Sequence, residues 1–189
     1  MSSINGLILA GGKSQRMGTD KSLIDFHGIP QREYLHQLLK KVCSEVFVSH
    51  KVDTPIPLHL NPLADKFDIE SPLNGILSAF TQEPHVAWLT VPVDMPNINL
   101  AAIHHLLLHR NAAKLATCFT DSEGQNPEPL FTLWEPAAFV HLKHYFETGG
   151  KGVKYFLLQH PVHIIAAPDI TIHLNINSSE DLENYKKAT

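Results

Sequence analysis

Short apolar runs alternate with segments of helical periodicity along the whole chain. The apolar runs, typical of buried strands, lie at 7–10, 46–48, 57–60, 86–91, 114–119, 130–134, 162–166 and 170–174. The segments with apolar residues three or four positions apart, typical of helices, are 34–42, 73–80, 100–109, 137–146 and 153–159. Ser178 and Asp181 predict a capping box that begins a final helix through Tyr185.

The order of these elements predicts the fold class. Strands that alternate with helices of about ten residues form α/β folds with right-handed crossovers between parallel strands. We therefore predict a three-layer α/β/α sandwich with a mostly parallel central sheet, in one domain over residues 1–189. Ligands of open α/β sheets bind beyond the carboxyl ends of the strands. The segments 11–21, 92–96 and 175–177 each follow a predicted strand, so we expect them to line such a site.

The composition is that of a globular protein and excludes several other classes. Hydrophobic residues make up 43% of the 189 residues and charged residues 18%, which argues against a disordered chain. A net charge of −4 gives no general attraction to nucleic acid or to an anionic membrane. No apolar run approaches the roughly 20 residues of a membrane span, and the first residues lack the basic region of a signal peptide. Cys43 and Cys118 belong to no CxxC pair, so we expect reduced cysteines in a cytoplasmic protein.

The segment 9–21 concentrates the chemistry of the sequence. Its three glycines let backbone N–H groups approach a ligand, and its cations are Lys13, Arg16 and Lys21. Amides and cations together suit a triphosphate of about four negative charges. A Walker A loop would need glycine at position 7, where Leu7 stands, and the glycines do not form the GxGxxG of a dinucleotide-binding fold. The segment therefore predicts a phosphate-binding loop that is neither a Walker A loop nor a GxGxxG loop.

The sequence LAGGKSQRMGTDKSL at 9–23 resembles the signature of the nucleotidyltransferase superfamily and, within it, of the molybdenum cofactor guanylyltransferases, the MobA family. Four later motifs, at 71–75, 93–96, 129–130 and 174–178, extend the resemblance over nearly the whole chain. The resemblance implies a Rossmann-like fold of the nucleotide-diphospho-sugar transferase type. It also implies that GMP passes from Mg-GTP to the terminal phosphate of molybdopterin, which releases pyrophosphate and forms molybdopterin guanine dinucleotide.

The resemblance further implies a role for each matching residue. Arg16, Lys21 and Asp94 would be catalytic, with Asp94 as the ligand of Mg²⁺, and Asn175 and Asn177 would bind the acceptor. The nucleotide-binding positions would be Leu9, Ala10, Gly11, Gly12, Lys13, Lys21, Pro72 and Leu73, together with Asn61 or Asp65, between which the sequence leaves the choice open. The nucleotide-binding half is expected over about 1–98 and the acceptor half over about 99–189. The implied partners are GTP and molybdopterin, with other molybdenum-cofactor biosynthesis proteins as further candidates.

Several alternatives stay open at the level of the residues. Asp94, which lies between prolines, suits the capping of a turn as well as it suits Mg²⁺ binding. Ser71 and Asn74 stand where the resembled family has glycine and alanine, so a related enzyme that uses CTP or a sugar-phosphate acceptor is an alternative. A non-catalytic nucleotide-binding domain of the same fold is a further hypothesis.

Overall fold

The computed structural model describes residues 3–11 and 20–188, and these residues form a single sheet covered by helices. The strands are β1 (Ile4–Leu9), β2 (Val46–His50), β3 (Pro62–Ala64), β4 (Ala87–Pro92), β5 (Ala116–Thr120), β6 (Pro127–Trp134) and β7 (His163–Ile165). Their order across the sheet is β3-β2-β1-β4-β6-β5-β7. β6 is antiparallel to β4 and β5, and the other neighbouring strands are parallel. The carboxyl ends of β1, β2, β3 and β4 therefore meet at one edge.

The helices connect these strands. They are α1 (Gln31–Leu39), α2 (Leu73–Gln82), α3 (Leu100–Leu108), α4 (Ala138–Glu147), α5 (Val153–Gln159) and α6 (Ser179–Ala188). Short 3₁₀ turns lie at Lys21–Leu23, Leu58–Leu60 and Ile170–His173. Among the residues that the structure describes, no helix has the length and apolar character needed to cross a membrane.

The core lies on both faces of the sheet. Successive side chains of a strand point to opposite faces, so Ile8 of β1 joins one hydrophobic cluster, whereas Leu7 and Leu9 join the other. The buried residues of α1 and α3 belong to the first cluster, and those of α2, α4 and α5 belong to the second. The predicted three-layer α/β/α sandwich with a mostly parallel sheet is confirmed.

Two predicted strands are wrong. In the segment 57–60, Pro57 precedes a 3₁₀ turn, and the strand that pairs with β2 begins only at Pro62. In the segment 170–174, the Asp169 side chain accepts a hydrogen bond from the Thr171 N–H and begins the 3₁₀ turn Ile170–His173. A short run of alternating apolar residues fits a half-buried 3₁₀ turn as well as it fits a strand, because both expose some of these side chains.

The capping box that the sequence predicts at the start of α6 is present. The Ser178 hydroxyl accepts a hydrogen bond from the Asp181 N–H at 3.1 Å, and the Asp181 carboxylate accepts one from the Ser178 N–H at 2.8 Å. This reciprocal pair is a capping box. Since it fixes the chain direction directly after 174–177, it also helps to hold that segment in place.

The two cysteines are free, as predicted. Cys118 is buried in β5, and Cys43 is partly buried after α1. Burial raises the pKa of each thiol to about 12, because the thiolate would have to form away from water. Both residues therefore act as apolar packing groups rather than as nucleophiles.

Candidate active site

Side chains from three distant parts of the sequence meet at the carboxyl ends of β1 and β4. The Lys21 ammonium donates a hydrogen bond to the Asn177 side-chain oxygen at 2.8 Å and lies 3.6 Å from Asp94 Oδ2. The Ile176 N–H donates to the Asp94 carbonyl at 2.8 Å. The backbone of 175–177 is thereby attached to the turn after β4, so the lysine, the aspartate and the asparagine form one group.

The local sequence fixes the backbone of Lys21. The Asp20 side chain accepts a hydrogen bond from the Ser22 N–H at 2.9 Å, which caps a 3₁₀ turn that begins at Lys21. The Ile24 N–H closes the turn by donating to the Lys21 carbonyl. The Lys21 side chain is only 17% exposed, so its charge is directed at protein partners more than at solvent.

Asp94 has the environment of a metal ligand. Its side chain is 26% exposed, and burial raises its pKa, while the nearby charge of Lys21 opposes that rise. Its Oδ1 atom is buried and has no hydrogen-bond partner among residues 3–11 and 20–188. A buried carboxylate oxygen needs a partner, and an oxygen ligand on a rigid turn suits a hard divalent cation. These properties fit a cation-binding residue better than a turn cap.

A cavity of about 270 Å³ adjoins this group. It begins beside Gly11 and Asp65, passes Pro72 and the turn after β4, and reaches Leu130 on β6. The cavity therefore lies at the edge of the sheet where the sequence predicts ligand binding. Leu130 belongs to one of the motifs that carry the family resemblance, and the antiparallel pairing of β6 with β4 brings it to this edge.

The structure distinguishes between Asn61 and Asp65. Asp65 lines the cavity, and its Oδ1 accepts a hydrogen bond from the Ser49 hydroxyl at 2.9 Å. Burial raises the pKa of Asp65, and the Ser49 hydrogen bond opposes that rise. Asn61 has a positive φ of 50° at the end of a 3₁₀ turn, and its amide donates to the Val46 carbonyl at 3.1 Å. Asn61 therefore shapes a turn outside the lining of the cavity, and Asp65 is the candidate for ligand contact.

The start of α2 places Pro72, Leu73 and Asn74 in different surroundings. Pro72 lines the cavity, whereas Leu73, which was expected to bind the nucleotide, is fully buried in the hydrophobic core and does not line the cavity. Asn74 is also buried, and its amide donates to the carbonyls of Phe67 and Ile69, so it holds the preceding loop rather than facing a nucleotide base. The difference from the alanine of the resembled family thus acts on the shape of the loop.

The remaining predicted residues divide into three groups. Leu9 and Gly11 line the cavity, whereas Ala10 packs against the core and its N–H donates to the Ser49 carbonyl at 3.2 Å. The Asn175 amide donates to the His173 carbonyl at 2.9 Å, so Asn177, not Asn175, contacts the lysine. Gly12, Lys13 and Arg16 lie outside the described residues.

Sequence reasoning missed three polar residues of the cavity: Glu70 in the loop before α2, and Ser49 and Lys51 at the end of β2. Ser49 is buried at the end of β2, and Lys51 follows that strand. Gly75 of α2 packs directly over Ser49, since a Cβ at position 75 would collide with the Ser49 hydroxyl. The rule that ligands bind beyond strand ends, applied to β2 as it was to β1 and β4, would have indicated Ser49 and Lys51.

Comparison with solved structures defines the class of this fold. The molybdopterin-guanine dinucleotide biosynthesis protein A of Archaeoglobus fulgidus matches with a TM-score of 0.79 at 16% identity, over 97% of each chain. A Mycobacterium tuberculosis protein solved in complex with manganese matches with a TM-score of 0.66 at 13% identity, over 100% of each chain. The chain therefore has the α/β fold of these two proteins.

Comparison of sequences gives the family. A model described as the MobA-like NTP transferase domain matches residues 6–164. A Pseudomonas aeruginosa molybdenum cofactor guanylyltransferase is 30% identical over 187 residues, which are 96% of this chain and 93% of that protein. A Synechocystis molybdenum cofactor biosynthesis bifunctional protein is 34% identical over 93% of this chain, which spans about half (52%) of that longer protein. The chain belongs to the MobA-like NTP transferase family.

The hydrogen bond between Ser49 and Asp65 predicts that the pKa of Asp65 changes when Ser49 is replaced. Ser49→Ala removes a hydrogen bond that lowers the pKa of Asp65, so the pKa of Asp65 should rise further above its ordinary value. The ¹³C chemical shift of the Asp65 carboxyl carbon, followed against pH, measures this value. Ser78→Ala is the matched control, because the Ser78 hydroxyl bonds the Lys66 N–H of the same loop. An unchanged or lowered midpoint in Ser49→Ala would contradict the assignment.

Proposed function

We propose that this chain transfers GMP from GTP to the terminal phosphate of molybdopterin, which releases pyrophosphate and forms molybdopterin guanine dinucleotide. The observation that carries the proposal is the meeting of Lys21, Asp94 and Asn177 beside a cavity at the carboxyl ends of the strands. The similarity to guanylyltransferases over nearly the whole chain supports the choice of GTP over CTP and of molybdopterin over a sugar phosphate.

Asp94 is the residue that would hold Mg²⁺. Its Oδ1 is buried without a hydrogen-bond partner among the described residues, and the residue lies on a proline-flanked turn, and both features support this role. When bound, the cation neutralises charge on the α-phosphate and on the leaving pyrophosphate. Lys21 sits beside the same carboxylate, so its ammonium can share the phosphate charge from the other side.

The proposed chemistry depends on position and charge. The attacking group is a phosphate that is already ionised, so the reaction needs neither a strong general base nor a covalent intermediate. Lys21 stabilises the charge that develops during attack, and Asn177 keeps the ammonium in place through its hydrogen bond. Arg16, Lys13 and Gly12 are proposed to bind the phosphates together with the backbone of Leu9–Gly11.

We propose a position for each substrate around the cavity. The nucleotide base is proposed to lie near Asp65 and Pro72, in the half over about 1–98. The acceptor is proposed to approach from Leu130, which lines the cavity, from Asn175, and from Asn177, which lies beside Lys21, in the half over about 99–189. The α-phosphate would then lie between the two, next to Asp94, which is the arrangement that transfer requires.

Pyrophosphate release tests this proposal. The purified protein is incubated with Mg²⁺ and each of the four nucleoside triphosphates, with and without molybdopterin. We expect release with GTP, dependent on molybdopterin. Release with CTP instead of GTP would contradict the assigned base, and failure of folded protein to release pyrophosphate from any of the four would contradict the proposed reaction.

Two substitutions test the residue roles within this reaction. Lys21→Ala or Asp94→Ala should lower turnover at least about 100-fold, the effect of removing one charge partner of a transition state. Lys40→Ala and Asp53→Ala are matched controls, because both residues are exposed and outside the cavity. Near-normal turnover in either active-site variant would refute the role of that residue.

A further inference from the structure

Lys51 and Asp65 lie side by side at one end of the cavity. β2 and β3 are parallel, with His50 paired to Ala64, and the Asp65 N–H donates to the His50 carbonyl at 2.9 Å. The next residue after this pair is Lys51 at the end of β2 and Asp65 at the end of β3, so these two residues are neighbours. Both residues line the cavity. The end of the cavity at these two strands therefore presents a cation and a carboxylate in adjacent positions.

The two side chains differ in what they can offer a ligand. Asp65 Oδ1 already accepts the Ser49 hydrogen bond, while Oδ2 lies beside Gly11, where an added Cβ would approach it to 3.3 Å. The carboxylate is thus held on one side and presents an acceptor on the other. The Lys51 ammonium has no hydrogen bond or ion pair among the described residues, and its partly buried side chain supplies donors without acceptors.

The backbone around these residues is well fixed. His50 Nδ1 lies 2.7 Å from the Lys51 carbonyl oxygen. Ser49 donates a hydrogen bond to Asp65 and packs closely against Gly75. The positive charge of Lys51 also lowers the pKa of Asp65, which agrees with their closeness in space. A donor and an acceptor held in this way can distinguish ligands by their hydrogen-bonding pattern.

We propose that Lys51 determines nucleotide specificity, by donating to guanine O6 while Asp65 accepts from the neighbouring N1–H and N2 amino groups. This inference rests on the proposed use of GTP. Guanine presents an acceptor at O6 next to its donors, whereas adenine presents an amino donor at the equivalent position. Adenine would therefore place a donor against Lys51 and leave both of these protein groups unpaired.

The test measures nucleotide binding rather than turnover. Dissociation constants of GTP, ITP and 2,6-diaminopurine riboside triphosphate are measured in the presence of Mg²⁺ for the wild type and for Lys51→Met. ITP keeps O6 and lacks the N2 amino group, whereas the diaminopurine keeps the N2 amino group and replaces O6 with a donor. ITP therefore reports on the contact between Asp65 and the N2 amino group. The diaminopurine nucleotide changes both O6 and N1, and the comparison of wild type with Lys51→Met isolates the part that depends on Lys51.

We expect Lys51→Met to lower the preference for GTP over the diaminopurine nucleotide about 10- to 100-fold, the range of one good base contact. The preference for GTP over ITP should not change, because ITP lacks only the N2 amino group, which contacts Asp65 and not Lys51. Lys51→Arg should keep most of the preference, since arginine also donates. Lys66→Met is the matched control, because Lys66 follows Asp65 directly in the sequence and lies outside the cavity lining.

An equal loss of affinity for all three nucleotides in Lys51→Met would overturn the proposal, because it would mean that Lys51 attracts phosphate charge without reading the base. No change in any of them would overturn it as well. If the wild type releases pyrophosphate from GTP and either result is obtained, this inference fails alone. If the wild type binds none of the nucleotides, the proposed function fails too.

Discussion

The contact between Lys21, Asn177 and Asp94 is the constraint on which the site depends, because it joins segments that are far apart in sequence. Lys21 and Asn177 are separated by 156 positions, and the Ile176 N–H attaches the second segment to the carbonyl of Asp94. A partly buried ammonium needs both a carboxylate and a hydrogen-bond acceptor to offset the loss of water. Asp94 and Asn177 therefore both help to position the lysine, and the Ile176 N–H joins their backbone segments.

The sheet explains why this contact forms at a cavity. β1, β2, β3 and β4 are parallel, so the loops that leave their carboxyl ends gather at one edge. β6 runs in the opposite direction, and it brings Leu130 to the same edge from the second half of the chain. Leu130 thus completes a lining that otherwise comes from residues 9–94. Polar residues in the turns directly after these parallel strands, such as Asp65 and Asp94, therefore line the cavity.

Sequence analysis predicted most of the sheet from local signals, and it predicted that the segments 11–21, 92–96 and 175–177 follow strands at one edge. Buried strands are continuous apolar runs, and Asp94 follows such a run between prolines. The choice between Asn61 and Asp65 could not be made from the sequence, since it depends on a turn with positive φ at Asn61. The sequence also could not show which residue at the start of α2 faces the cavity. The first turn of α2 exposes Pro72 to the cavity and buries Leu73 in the core.

Other features depended on contacts between distant segments. The loop at 67–69 is shaped by the buried amide of Asn74, and nothing in the local sequence shows whether that amide faces the loop or the ligand. Ser49 and Lys51 enter the site because β2 ends at the same edge as β1 and because Gly75 lets α2 pack closely over Ser49. Pairing between strands thus decides which of the many surface lysines belongs to the cavity.

The central claim is that Asn177 and Lys21 act as one unit, and a double-mutant cycle on turnover measures this most directly. Pyrophosphate release is compared for the wild type, Lys21→Met, Asn177→Ala and the double variant. If Asn177 works by holding the ammonium of Lys21, the double variant should be no slower than Lys21→Met, because an absent ammonium cannot be mispositioned. If instead the two effects multiply, the two residues act independently, and Asn177 does not work through the position of the ammonium.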